Sequence, residues 1–297
     1  MEILYRYALC LPLVLPPAIC IVMMVFLPES PVLLKIKGKD DKMRQALIFY
    51  RGKNYDITHD EKDIEAYIKS SEGSFKENIK KKATINGFLM LLVMHVVQQL
   101  SGINAIMFYA SFIFEEGNFF NLSSNVCVVI LGGFQIIAVG IAAGVVDRLG
   151  RRLLWLISLG IMTICLIITG IYFIIGSYDT ETASKIQFIL VICICLYVLG
   201  FCLGTGPLPW AMIGEMLSAA AKSYTAPIVA AVNWLLGYLV TVSYPYLKES
   251  IGDGPVFLGY ALVCILGFLY VLFVLIETKD KTLDEIQIAL GSKKPDA

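Results

Sequence analysis

Charge is scarce in this chain, and what charge there is cancels. Asp, Glu, Lys and Arg make up 16% of the residues, with 24 basic side chains against 24 acidic ones. Such a balance offers no patch for nucleic acid, because the basic stretch from Lys35 to Lys82 is interleaved with Asp and Glu. Histidine occurs only twice, and the eight cysteines include no CxxC pair. Metal and thiol-redox chemistry therefore have no support, and the cysteines read as small buried apolar groups. A P-loop, a Ser-His-Asp arrangement and a zinc-helix motif are also missing, so neither an enzyme nor a cofactor is expected. The start lacks the basic segment and cleavage-like site of a signal peptide.

Apolar residues are what the chain has in excess: they form 58% of it and give a mean hydropathy of +0.75. They gather into seven runs, at about 7–27, 85–114, 125–146, 153–175, 187–213, 224–247 and 255–276, each near or above the ~20 residues that cross a bilayer. Of the 24 Lys and Arg, 21 lie in the 28–84 connection, around Arg148–Arg152, at Lys222 or in the tail, and only Arg6, Lys185 and Lys248 lie elsewhere. The positive-inside rule then puts the connection, the arginine cluster and the tail in the cytoplasm, with the N-terminus outside. Pro12, Pro16 and Pro17 suit a kinked, packed first span. An odd number of spans starting outside leads to the expectation of a longer polytopic protein whose beginning is missing. The 28–84 connection reads as short helices, with capping boxes at Thr58-x-x-Glu61 and Ser74-x-x-Glu77 and stops at Gly52 and Gly73. Asn121-Leu122-Ser123 is a glycosylation sequon on an outer loop.

One stretch is polar where it should be oily. Gln98-Gln99-Leu100-Ser101-Gly102-Ile103-Asn104 lies inside an apolar run. Uncompensated amides in hydrocarbon cost roughly several kcal/mol each, so these side chains need partners. His95, Gln98, Gln99 and Gly102 share one helical face. Asn104 joins them only if the helix is interrupted at Ser101-Gly102, as in the discontinuous helices with which transporters bind substrate. The alternative is interhelical hydrogen bonding with no ligand.

Further motifs fall at consistent places: Leu27-Pro28-Glu29-Ser30-Pro31 after the first span, Asp147-Arg148-Leu149-Gly150-Arg151-Arg152 between the third and fourth, Gly204-Thr205-Gly206-Pro207-Leu208-Pro209-Trp210 within the fifth, and Glu277-Thr278-Lys279 after the last. With the Gln98–Asn104 stretch, their order and sidedness resemble the sugar porter family of the major facilitator superfamily, the glucose facilitators and insect trehalose facilitators. The resemblance implies an all-α integral membrane fold, present in part: the last helix of the N-terminal half (1–27), a cytoplasmic helical linker (28–84), a six-helix C-terminal transport domain (85–276) and a cytoplasmic tail (277–297). It implies sugar contacts from Gln98, Gln99, Asn104, Gln135, Phe201, Trp210, Asn233 and Trp234. Gates would form from Gly204, Gly206, Pro207 and Pro209, faced by Phe108 and Tyr109, and a cytoplasmic ion-pair network from Glu29, Asp147, Arg151 and Glu215. An amide donates and accepts as a sugar hydroxyl does, and an indole covers the apolar face of the ring. Trp155, beside Arg151-Arg152, reads as an interface anchor.

Departures from the pattern include Val32, Cys202, Gly237, Ile276 and Asp280, where the family usually carries arginine, glutamate, asparagine, proline and glycine. His95-Val96-Val97 stands where glucose-selective members carry Gln-Leu-Ser. The expected function is a facilitative carrier of a hexose or trehalose-like disaccharide in the plasma membrane, working by alternating access. Its partners would be the sugar, the bilayer and a complementary N-terminal half, without which this chain is expected to be inactive. A sugar sensor that does not transport, and a seven-helix receptor, are the competing readings.

Overall fold

In hydrocarbon a backbone must satisfy its own N–H and C=O groups, which long apolar runs achieve as helices. The computed structural model describes residues 2–53, 55–71, 81–116 and 124–291, and every regular element among them is a helix. Asn121, Gly73 and the Ser74–Glu77 pattern lie outside the described residues.

Two compact units divide the chain between Glu72 and Gly73. The first begins with α1 (Glu2–Phe26), an unbroken helix through all three prolines. It continues with α2 (Pro31–Ile36), α3 (Asp40–Arg51) and α4 (Thr58–Ser71). Leu34, Met43, Ala46, Leu47 and Ile64 form a small buried cluster among these short helices. Gly52 stops α3 with φ +100°, as its sequence position suggests. The capping box at Thr58 does not form. Asp56 takes the cap instead, accepting from the Thr58 N–H at 3.0 Å, and Glu61 is drawn away to Arg44 at 2.7 Å. An acid two residues upstream is better placed for that amide, and the pair with Arg44 occupies the carboxylate the box would have used.

The second unit holds α5 (Lys82–Leu100), α6 (Ile103–Glu116), α7 (Ser124–Leu149), α8 (Arg151–Tyr178), the short α9 (Thr180–Lys185), α10 (Phe188–Gly200), a π-helical turn (Phe201–Thr205), α11 (Leu208–Met216), α12 (Ala219–Ile251), α13 (Asp253–Phe273) and α14 (Leu283–Ala289). By length and composition, six stretches among the described residues suffice to cross a membrane: 82–115, 126–146, 151–178, 188–216, 221–251 and 253–273. In α1 the described apolar stretch, Val14–Phe26, is shorter than a span. Helix α8 is central, packed by α10, α13 and the π turn, while α12 lies along α5. That centrality overturns the anchor reading of Trp155, which is fully buried. By contrast α7 and α12 keep broad apolar faces exposed, including Ile136, Ile137, Leu235 and Tyr238.

Two helices are broken where the sequence is polar or poor in donors. Between α5 and α6 the chain turns through Ser101 and Gly102, and Gly102 takes φ +87°. A Cβ there would stand 2.4 Å from the Tyr260 ring, so the turn needs glycine for both conformation and space. Ser101 Oγ donates to the Gln98 carbonyl at 2.7 Å, and the buried Tyr197 hydroxyl donates to the Ser101 carbonyl at 3.0 Å. The second break is the π turn, whose register is marked by the Gly206 N–H donating to Phe201 O at 2.8 Å. Gly204 lets this turn press on α8, where a Cβ would lie 2.7 Å from the Leu154 carbonyl.

Candidate functional site

Both breaks open onto one cavity of about 640 Å³, within the roughly 300–1,000 Å³ typical of small-molecule sites. All eight residues proposed as sugar contacts line it: Gln98, Gln99 and Asn104 from α5 and α6, Gln135 from α7, Phe201 from the π turn, Trp210 from α11, and Asn233 and Trp234 from α12. Their sequence positions span more than a hundred residues, and six separate elements bring them together. Ile103, Met107, Val139 and Val198 supply apolar wall.

The amides form a relay. The Gln98 Nε2 donates to the carbonyls of Thr205 at 2.9 Å and Gly206 at 2.7 Å. Its Oε1 accepts from Asn233 Nδ2 at 2.7 Å. Asn233 Oδ1 in turn accepts from Gln99 Nε2 at 2.8 Å, and Gln99 Oε1 from Asn104 Nδ2 at 2.6 Å. Four amides on three helices thus satisfy one another in sequence, which removes most of the cost of burying them. Asn104 reaches Gln99 only because the helix breaks at Ser101-Gly102. It also needs Gly237 on α12, where a Cβ would lie 2.6 Å from the Asn104 Nδ2.

Two indoles face this polar strip. Trp234 is largely exposed along the cavity, and Trp210 is held edge-on by His95, with ring centres 4.9 Å apart. His95 shares a helical face with the glutamines but does not line the cavity. It is fully buried, with its Nδ1 bonded to the Leu91 carbonyl at 2.8 Å, so it supports the site from behind. Among the proposed gate residues, Gly206 and Pro207 line the cavity, Gly204 abuts α8 and Pro209 is buried in α11. Phe108 and Tyr109 do not face that segment. Phe108 is exposed, and the Tyr109 ring stacks obliquely on Tyr244 of α12 at 5.1 Å, because α6 runs beside α12.

A second polar cluster joins α8, α11 and the segment after α13. Arg151 holds Glu215 at 2.9 Å, and the other Glu215 oxygen accepts from the Thr278 hydroxyl. Glu277 caps α8, accepting from the backbone N–H groups of Arg151 and Arg152 at 3.0 and 3.1 Å, and from Thr278 and Lys279 at 3.0 Å each. Burial pushes the Glu277 carboxyl up, but these four donors together hold it below its ordinary value. Glu277, Thr278 and the Lys279 ammonium, which donates to the Arg148 carbonyl at 2.8 Å, were not expected in the network. Their motif was visible in the sequence, but its target was not. Of the expected members, Asp147 has no described side chain, and Glu29 pairs locally with Lys37 at 3.1 Å in the first unit.

A bundle of broken membrane helices around an amide-lined cavity is the architecture of a solute carrier. Solved structures agree on the fold. The major facilitator superfamily proton:xylose symporter XylE bound to 6-bromo-6-deoxy-D-glucose superposes with a TM-score of 0.73 at 22% identity, over 92% of this chain and 57% of that one. The inward-open xylose transporter XylE from E. coli gives 0.65 at 22% identity, over 92% and 54%. The family model described as "Sugar (and other) transporter" matches residues 2–290, and this chain belongs to that family. It is a multi-pass membrane protein of the major facilitator superfamily fold. Facilitated trehalose transporters are similar in sequence: that of Aedes aegypti is 32% identical over 90% of this chain and 33% of its own length, and that of Drosophila virilis 31% over 91% and 30%. A homologue from Drosophila simulans is 31% identical over 94% of this chain and 58% of its own length. The chain thus spans about a third to just over half of these relatives.

Proposed function

We propose that this chain supplies the C-terminal half of a facilitative sugar carrier that works by alternating access in the plasma membrane. The observation that carries this reading is the convergence of five amide side chains and two indoles, from separate elements, on one cavity at membrane depth. Among the described residues no charged side chain lines that cavity, which suits a neutral polyhydroxylated solute better than an ion. A hexose or a trehalose-like disaccharide would take its hydroxyl contacts from Gln99, Asn104, Gln135 and Asn233, and lay its apolar face on Trp210 or Trp234. The relatives' names favour trehalose, and the exposed apolar faces of α7 and α12 offer a complementary N-terminal half its seat. In this reading the Arg151–Glu215–Thr278 cluster lies at the cytoplasmic rim, biasing one of the two access states. Residues 28–84 form the linker between halves.

Binding of trehalose and D-glucose, followed by tryptophan fluorescence in lipid nanodiscs, tests the reading. Saturable quenching is expected, weakened about two- to tenfold by Gln99→Ala, the worth of one neutral hydrogen bond. Saturable quenching that Gln99→Ala and Gln135→Ala both leave untouched would return the amides to plain interhelical bonding. Binding without flux when a complementary half is present would favour a sensor.

A further inference from the structure

The relay has an end that the sugar reading does not explain. Both hydrogens of the Gln98 amide are committed, at 2.9 and 2.7 Å, to the main-chain carbonyls of Thr205 and Gly206. In a regular helix the Thr205 carbonyl would accept from the N–H four residues on, but that residue is Pro209, which has none. A buried carbonyl deprived of its donor is costly, and this one is fully buried against α8. A side chain from a different helix therefore fills a vacancy that proline created in the main chain.

We propose that Gln98 is a latch on the π turn: its amide replaces the donor missing at Pro209 and holds residues 201–207 against the cavity, and a sugar hydroxyl that takes over that amide releases the turn. The idea deepens the carrier reading and rests on it for the releasing ligand alone. Three features support the latch. The Gln98 side chain is 3% exposed, so water does not compete for its hydrogens. Its Oε1 is fixed by Asn233, which orients the amide so that its nitrogen faces the turn. The Ser158 hydroxyl on α8 anchors the other side of the turn, bonding the Thr205 N–H at 2.9 Å, the Thr205 hydroxyl at 2.6 Å and the Gly200 carbonyl at 2.6 Å, and so leaves the downstream carbonyls to Gln98. A latch of this type makes Gln98 a positioning residue for the break as well as a sugar contact, and gives a π turn beside a binding cavity a definite trigger.

The test is amide hydrogen exchange of residues 203–213 in the full 297-residue chain in lipid nanodiscs, first without sugar. Gln98→Met keeps the volume and removes both donors, and should speed exchange there roughly tenfold, while α13 stays unchanged. Pro209→Ala restores a main-chain donor, and should slow exchange in the parent and cancel the effect of Gln98→Met in the double variant. A purely structural glutamine would show no such rescue. Exchange unchanged by Gln98→Met, or a double variant as fast as Gln98→Met alone, overturns the latch. If Gln98→Met does not fold, Pro209→Ala alone decides, since unchanged or faster exchange with that variant also overturns it. D-glucose and trehalose are then added. Faster exchange in the parent but not in Pro209→Ala is expected, and saturable binding without that change refutes the release. If neither sugar alters the fluorescence of any variant, the carrier reading fails, while the sugar-free result on the latch stands.

Discussion

Gly237 is the residue at which the relay depends on something missing. Where the resembled family usually carries asparagine, this chain has no side chain, and Asn104 fills the space. Gly237→Ala should push Asn104 off Gln99, a loss of about 1 kcal/mol, or roughly fivefold in sugar affinity, with little change in folding. Titration of the variant by tryptophan fluorescence checks it, and parental affinity would mean that Asn104 has another way to bond. Asp280 shows the opposite kind of departure. It stands where the family has glycine, yet keeps the left-handed backbone, φ 55°, that glycine would take. Aspartate tolerates that region better than most residues, so the turn survives the change. His95 was legible as polar and on the right face, but its neighbour was not: nothing in the spacing says that an imidazole will brace Trp210.

At the scale of elements, the start of α8 shows how a motif finds its partner. Its first N–H groups need an acceptor, and none of the residues just before it provides one. Glu277 arrives from the other end of the unit, at a site where a negative charge is favoured by the helix dipole. Glu277→Gln should therefore lower thermal stability by about 0.5–1 kcal/mol at neutral pH. Because the native carboxyl titrates below its ordinary 4.5, the stabilisation is complete above that value and lost as pH falls through the lower native one. The gap between parent and variant should close only below pH 4.5, as thermal unfolding in detergent would show. A gap that stays constant into acid would mean that Glu277 is neutral in the cap. The interrupted spans were readable from Ser101-Gly102 and from the Gly-Pro run, since those residues withdraw side chains and donors. That the second interruption becomes a π turn was not readable, because the register depends on α8 pressing at Gly204.

At the scale of the whole molecule, the cavity is bounded by one set of helices. The described stretches of α7 and α12 are mostly exposed, with apolar side chains that lipid or protein must cover. If the transport pathway needs a second wall, residues 1–297 expressed alone should bind sugar yet show no saturable flux in vesicles. A co-expressed fragment carrying the complementary helices should restore uptake. Saturable, inhibitor-sensitive flux from this polypeptide by itself would point instead to two copies enclosing one path. Orientation is testable in the same system. From the 21-to-3 split of Lys and Arg, residues near Lys42 and the segment after α13 are expected to face the cytoplasm. Strong labelling of a cysteine placed at Lys42 from outside intact cells would contradict it.

The sequence by itself determined the class of fold and picked out eight side chains that line the cavity. Apolar runs of spanning length leave helices as the only solution in a bilayer, and amides inside such a run must find partners, so Gln98, Gln99 and Asn104 announced themselves. What only the tertiary structure decided is which group each polar atom meets. Hydrogen bonds between helices far apart in sequence depend on packing offsets of an ångström or two, which no local pattern encodes. The pairing of Gln98 with the carbonyls beside Pro209, of Asn104 with the space at Gly237, and of Glu277 with the start of α8 all have that origin. The burial of Trp155 does too, since α8 became the centre of the bundle rather than its rim.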